Sequence, residues 1–154
     1  MLCMSLLWQY ERMLLVKNGR MAFKPGVRFS LIEEGDPFVI YGSVMTFKKQ
    51  IERYPQIVAT GVVAEATITA PIEVAGKVYS ASCGLDFEMQ APLGRGAPFR
   101  PLVQEMSFIQ DKRAWSVYFR RALKKVPDED FAAIEGALKA HLEKLSQADE
   151  SLGG

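Results

Sequence analysis

Apolar and polar positions follow two rhythms along this chain, and each predicts a different kind of element. Ile57 to Thr69 (IVATGVVAEATIT) is β-branched and rich in small residues. It predicts a long strand, with Gly61 a bulge or a point of close approach. Leu85, Phe87 and Met89 alternate with Asp86 and Glu88, the pattern of a half-buried strand. Phe38 to Tyr41 is a compact strand behind the turn Glu33-Glu34-Gly35-Asp36-Pro37. Leu2 to Leu7 and Leu102 to Phe108 read as further strands. Ile72 to Val74 and Val78 to Ser82 read as a hairpin turning at Gly76-Lys77.

Helical spacing appears twice. Trp8 to Lys17 carries apolar residues near that spacing and stops at Asn18-Gly19, which tolerate a left-handed backbone. Asp128 to Leu145 is the clearest helix. Asp128 is its N-cap, Glu129 and Asp130 suit the positive end of the dipole, and Phe131, Ile134, Leu138, Leu142 and Leu145 form one apolar stripe. Pro25-Gly26 is a turn, Thr46 to Tyr54 a basic loop, and Pro92 to Pro98 a Gly/Pro loop. This order gives five to seven strands with two flanking helices and no strand–helix alternation. It predicts an α+β fold, a small β-barrel with helices packed on it.

The chain has 154 residues, which predicts one domain over residues 1–146 and a frayed tail over 147–154. Two cysteines, Cys3 and Cys83, make neither a metal-ligand spacing nor a disulfide framework, which points to a reducing, cytoplasmic setting. The apolar start MLCMSLLW has no basic n-region, so it reads as mature structure, and no run approaches a membrane span.

Net charge is +1, but it is uneven. Between Arg95 and Lys125 eight Lys/Arg stand against Glu105 and Asp111; between Asp128 and Glu150 seven Asp/Glu stand against Lys139 and Lys144. The basic segment suits phosphate.

Catalytic constellations do not emerge. The single histidine, His141, sits on or beside the stripe of the last helix, where a structural or interfacial role fits. Cys83 reads as a small buried residue in a strand. Asp86 and Glu88 share one strand face and point to water. Leu93-Gly94-Arg95-Gly96 is followed by Pro98 and Pro101, so no helix starts there to complete a phosphate loop. No enzyme, no cofactor and no metal site are expected.

Three groups suit binding: Arg20-Met21-Ala22-Phe23, Tyr41-Gly42-Ser43, and Trp115 through Arg121. Each sets an aromatic beside a cation or a small polar residue, as stacking on a base requires. With GRMAF (Gly19 to Phe23), EEGDPFVIYG (Glu33 to Gly42), IVATGVV (Ile57 to Val63) and LVQEMSFIQDKRAWSVYFRRALKKVPDEDF (Leu102 to Phe131), the chain resembles EVE-domain proteins of the PUA-like superfamily. The resemblance covers most of Gly19 to Leu138. The family commonly begins with a fuller first strand carrying an aromatic, where this chain has only Leu2 to Leu7.

The resemblance implies a PUA-like barrel and a pocket that receives a nucleobase, modified or flipped, from DNA or RNA. It places Met21, Ala22, Phe23, Tyr41, Gly42, Ser43, Phe108, Trp115, Tyr118 and Arg120 around the base. Lys48, Lys49, Arg121 and Lys124 would meet phosphate. Such a protein reads a mark and performs no chemistry. In an alternating strand Trp115, Val117 and Phe119 face one way and Ser116, Tyr118 and Arg120 the other, with Tyr118 and Arg120 outward. The alternative is a small-molecule or protein-interaction domain on the same fold. It would dimerise or dock through Ile134, Leu138, His141 and Leu142.

Overall fold

The computed structural model describes residues 2–6, 19–23, 32–42, 54–67, 72–74, 77–79, 81–92, 95–119 and 123–153. Among them the chain forms nine strands: β1 (Leu2–Leu6), β2 (Arg20–Phe23), β3 (Pro37–Gly42), β4 (Gln56–Thr67), β5 (Ile72–Val74), β6 (Lys77–Tyr79), β7 (Ala81–Gln90), β8 (Ala97–Pro98) and β9 (Leu123–Lys125). Two 3-10 helices span Arg100–Glu105 and Trp115–Phe119, and one α-helix, α1, spans Asp128–Gly153. The fold is α+β: a curled, largely antiparallel sheet makes a half-barrel with α1 at the C-terminal end of the chain. No helix among the described residues is long and apolar enough to cross a membrane.

The main sheet runs in the order β2-β7-β4-β3-β1-β9, and β8 also pairs with β4. Only β1 and β3 are parallel, with Leu2 opposite Phe38 and Leu6 opposite Gly42. The short first strand is therefore an interior strand, flanked by β3 and β9. The long strand expected from Ile57 is β4, which organises the sheet. Its start pairs with the end of β3 on one side and with β8 on the other, through Gln56 and Ile57.

Gly61 explains one irregularity of β4. Its register with β7 shifts between Thr60 and Gly61, a bulge at the expected position. A Cβ there would run into the carbonyl oxygen of Asp86 and come within 2.9 Å of Phe87 Cα, so only glycine fits without moving β7. Phe38 and Phe87 are its partners on either side, and their rings meet edge to face at 5.9 Å across the glycine. Gly19, at φ 83°, has the left-handed backbone expected of the stop before β2. The Glu33–Pro37 turn is also present: Asp36 Oδ2 accepts from Glu33 N–H at 2.8 Å, and Asp36 N–H donates back to Glu33 O.

Several expectations are corrected. Leu102 to Phe108 is not a strand: Arg100–Glu105 is a 3-10 helix with Pro101 in its first turn. Proline presets a helical φ, and carbonyls of Phe99, Val103 and Met106 accept from the N–H three residues on, which buries Leu102, Val103, Met106 and Ile109 together. Trp115–Phe119 is also a 3-10 helix, which overturns the alternating assignment of that stretch. The hairpin closes between Val74 and Lys77, not at Gly76-Lys77, and Val78 to Ser82 is divided between β6 and β7. The last helix continues past Leu145 to Gly153, through the segment expected to fray. The helix expected at Trp8 to Lys17, the Pro25-Gly26 turn and most of the Thr46–Tyr54 loop lie outside the described residues.

The core under α1 is one cluster. Ile134 and Leu138 are buried against Val39, Tyr41, Ile57, Phe99, Val103 and Met106, with Leu142 packed alongside. Of the residues expected to dimerise, Leu138 is 0% exposed and Ile134 is buried, while His141 and Leu142 are half-buried. Helix and sheet then share one desolvated layer.

Candidate functional site

The aromatic site grows from the end of β3. Tyr41 is buried there at 2% exposure, held opposite Ile57 of β4. Phe99, just after β8, meets Tyr41 edge to face at 5.4 Å. Trp115 then lies 5.5 Å from Phe99 at a tilted angle. The three rings run outward from the sheet: Tyr41 and Phe99 are wholly within the core, and Trp115 is half-buried at the end.

The segment carrying Trp115 is wired to itself and to α1. Asp130, in the first turn of α1 and 2% exposed, accepts from Ser107 N–H at 3.0 Å, Ser107 Oγ–H at 2.8 Å and Phe108 N–H at 3.1 Å. A buried carboxylate is tolerated only when its oxygens are satisfied in this way. Tyr118 Oη accepts from the N–H groups of Gln110 and Asp111 at 3.1 and 3.3 Å. Asp111 Oδ1 accepts from Arg113 N–H at 3.1 Å, which opens the turn into Trp115. Lys112 Nζ donates to the carbonyl of Met106 at 2.6 Å, so its ammonium serves the loop.

Because Trp115 and Tyr118 are three apart on a 3-10 helix, they share a face. Both pack against the core cluster, and Tyr118 meets Phe108 at 6.4 Å. Tyr118 therefore does not point outward, as strand alternation suggested. Val117, 46% exposed, faces outward, and Ser116 is exposed beside it.

Of the residues expected around a base, the structure brings together Tyr41, Phe108, Trp115 and Tyr118. Gly42 is buried beside Tyr41 at the end of β3. Met21 and Phe23 are 0% exposed in β2, which lies three strands from β3 along the sheet. Ala22 lies between them, its side chain outside the description. Ser43, Lys48, Lys49, Arg120 and Arg121 lie outside the described residues. Lys124 pairs through its backbone with Cys3, and its side chain is not described.

Sequence reasoning missed Phe99, the ring that joins Tyr41 to Trp115. An aromatic set between Pro98 and Arg100-Pro101 was the available signal. It also missed Asp130 as the residue that fixes the loop. Arg95, Arg100 and Arg113 are exposed around this segment.

Cys83 stands apart from the site. It is buried in β7 opposite Met21, and burial pushes its thiol up to about 12, with Arg20 and the Met21 backbone pulling weakly the other way. A thiol held protonated is no nucleophile.

No family model matches the chain. A stretch of it is 39% identical over 41 residues to a UPF0310 protein of Pyrococcus horikoshii, covering 26% of this chain and 28% of that protein. UPF0310 proteins of Pyrococcus abyssi and Mycobacterium avium match at the same identity over 41 residues, covering 26% and 27% of this chain and 29% and 30% of theirs. The match thus spans less than a third of the length of these curated relatives, and over that stretch the chain is similar to UPF0310 proteins.

Proposed function

We propose that this chain is a nucleic-acid-binding module of the EVE, PUA-like kind that accommodates a nucleobase against Trp115 and performs no chemistry. One observation carries this: a half-buried tryptophan at the outer end of the Tyr41–Phe99–Trp115 row, on a turn fixed by hydrogen bonds and flanked by exposed Arg100 and Arg113. A ring held rigidly by other rings loses little freedom when a base stacks on it. Stacking returns about 1–3 kcal/mol per base, and neighbouring guanidinium groups add salt-dependent attraction. The short matches to UPF0310 proteins run in the direction of the EVE-domain resemblance. The half-barrel is compatible with a small PUA-like barrel. A base that is modified, or already single-stranded, costs least to deliver to such a site.

In the dimerisation alternative, Ile134 and Leu138 of α1 are buried within the chain's own core, while His141 and Leu142 are half-buried. The test is fluorescence anisotropy with labelled single-stranded DNA and RNA, carrying plain and modified bases, at low and raised salt. Saturable binding that weakens with salt is expected. Trp115→Ala should weaken it by about 1–3 kcal/mol, and Trp115→Phe should keep most of it. No binding of the wild type to any oligonucleotide at low salt sinks the proposal.

A further inference from the structure

The turn before β8 has both of its peptide groups at Arg95 and Gly96 tied down. Arg95 N–H donates to Pro92 O at 2.9 Å, and Arg95 O faces Nε2 of His141 on α1 at 2.9 Å. Gly96 N–H donates to Oε1 of Gln56 at 2.7 Å, and Gly96 O accepts from the hydroxyl of Tyr54 at 2.8 Å. Gln56 is 1% exposed, and a carboxamide is tolerated at that depth because it is hydrogen-bonded. Gly96 is obligatory, since a Cβ would meet the carbonyl oxygen of Ile57 and lie 2.7 Å from Gln56 Oε1. Four separate partners, from the turn itself, the approach to β4, β4 and α1, thus fix the backbone under one arginine.

That arginine is exposed, and no carboxylate among the described residues pairs with it. It stands four residues before Phe99, which bears on Trp115, so an extended chain places it within ~14 Å of the aromatic row. The amides of Arg95 and Gly96 are used internally, so neither is free to bind phosphate. What it offers is a guanidinium on a fixed base, which loses less freedom on contact than one on a loose loop.

We infer that Arg95 is a phosphate-contacting residue of the aromatic site, its guanidinium pairing with the backbone of a single strand whose base meets Trp115. The inference rests on the nucleobase-binding proposal. It assigns to a clamped turn the role that the sequence gave to Lys48 and Lys49.

The experiment measures binding of about ten-nucleotide fluorescein-labelled single-stranded DNA and RNA to the full chain over a salt series. Arg95→Gln should weaken binding and lower the slope of log K against log salt by about 0.7, the value for one phosphate contact on a single strand. Arg95→Lys should keep the wild-type slope. Both variants should melt with the wild type, because the side chain is exposed. A wild-type slope in Arg95→Gln overturns the inference and leaves the base-binding proposal standing. Absence of binding by the wild type overturns both.

Discussion

At the scale of single residues, Cys83 shows how burial sets chemistry. Its side chain is 0% exposed, and desolvation raises the thiol from 9.0 to about 12 despite the nearby positive charge of Arg20. Between those values the unfolded chain has released the proton and the folded chain has kept it. The folded state then binds more protons, so its stability falls as pH rises. The penalty is absent below about pH 8.5 and grows from about pH 9 to 12, to about 4 kcal/mol at about 1.4 kcal/mol per pH unit. Urea titrations of wild type and Cys83→Ala across that range check it. The wild type should lose stability more steeply with pH, and parallel curves would mean the thiol ionises freely in place. The same burial makes Cys83 inert to thiol reagents while folded, in keeping with a small apolar residue in a strand.

At the scale of elements, period-two alternation was legible wherever one face met water. Leu85 is buried, Phe87 and Met89 are half-buried, and Asp86 and Glu88 are exposed, as the alternation requires, although β7 runs from Ala81 to Gln90, beyond the Leu85–Met89 stretch that carried the pattern. The two 3-10 helices were not legible. Leu102, Val103, Met106 and Ile109 satisfy a strand as an apolar run, and their three-residue spacing fits the 3-10 helix that Pro101 starts. The site suffered in the same way, because reading Trp115 and Tyr118 as alternating put on opposite faces two rings that share one. The partners Phe99 and Asp130 lie 16 and 15 positions from Trp115, and nothing local records such contacts. Asp130 is the pin that joins α1 to this loop. Asp130→Ala leaves the N–H groups of Ser107 and Phe108 without their acceptor. At about 1.5–3 kcal/mol for a hydrogen bond to a charged group, the cost should be about 3 kcal/mol in urea unfolding. Hydrogen exchange should show those two amides losing protection before the strands do.

At the scale of the whole molecule, α1 and the sheet are one cooperative unit because a single cluster holds both. Ile134 and Leu138 share one buried cluster with Tyr41 at the end of β3, Ile57 at the start of β4, and Phe99 after β8. The same side chains would have an opposite signature at a dimer face. Truncating a residue packed within one chain removes transfer energy and leaves a cavity, whatever the protein concentration. Truncating an interface residue weakens association, so its cost depends on concentration. Leu138→Ala should therefore destabilise by about 2–5 kcal/mol. The difference from wild type in urea midpoint should be the same at two protein concentrations about a hundredfold apart. A difference that shrinks or grows with concentration would return Leu138 to an intermolecular surface. Because Trp115 stands on this cluster through Phe99, the same variant should also loosen the turn proposed to bind a base. Oligonucleotide affinity should then fall in Leu138→Ala even where the protein remains folded. The aromatic row is in this sense an outgrowth of the core, and its rigidity is borrowed from the packing of α1.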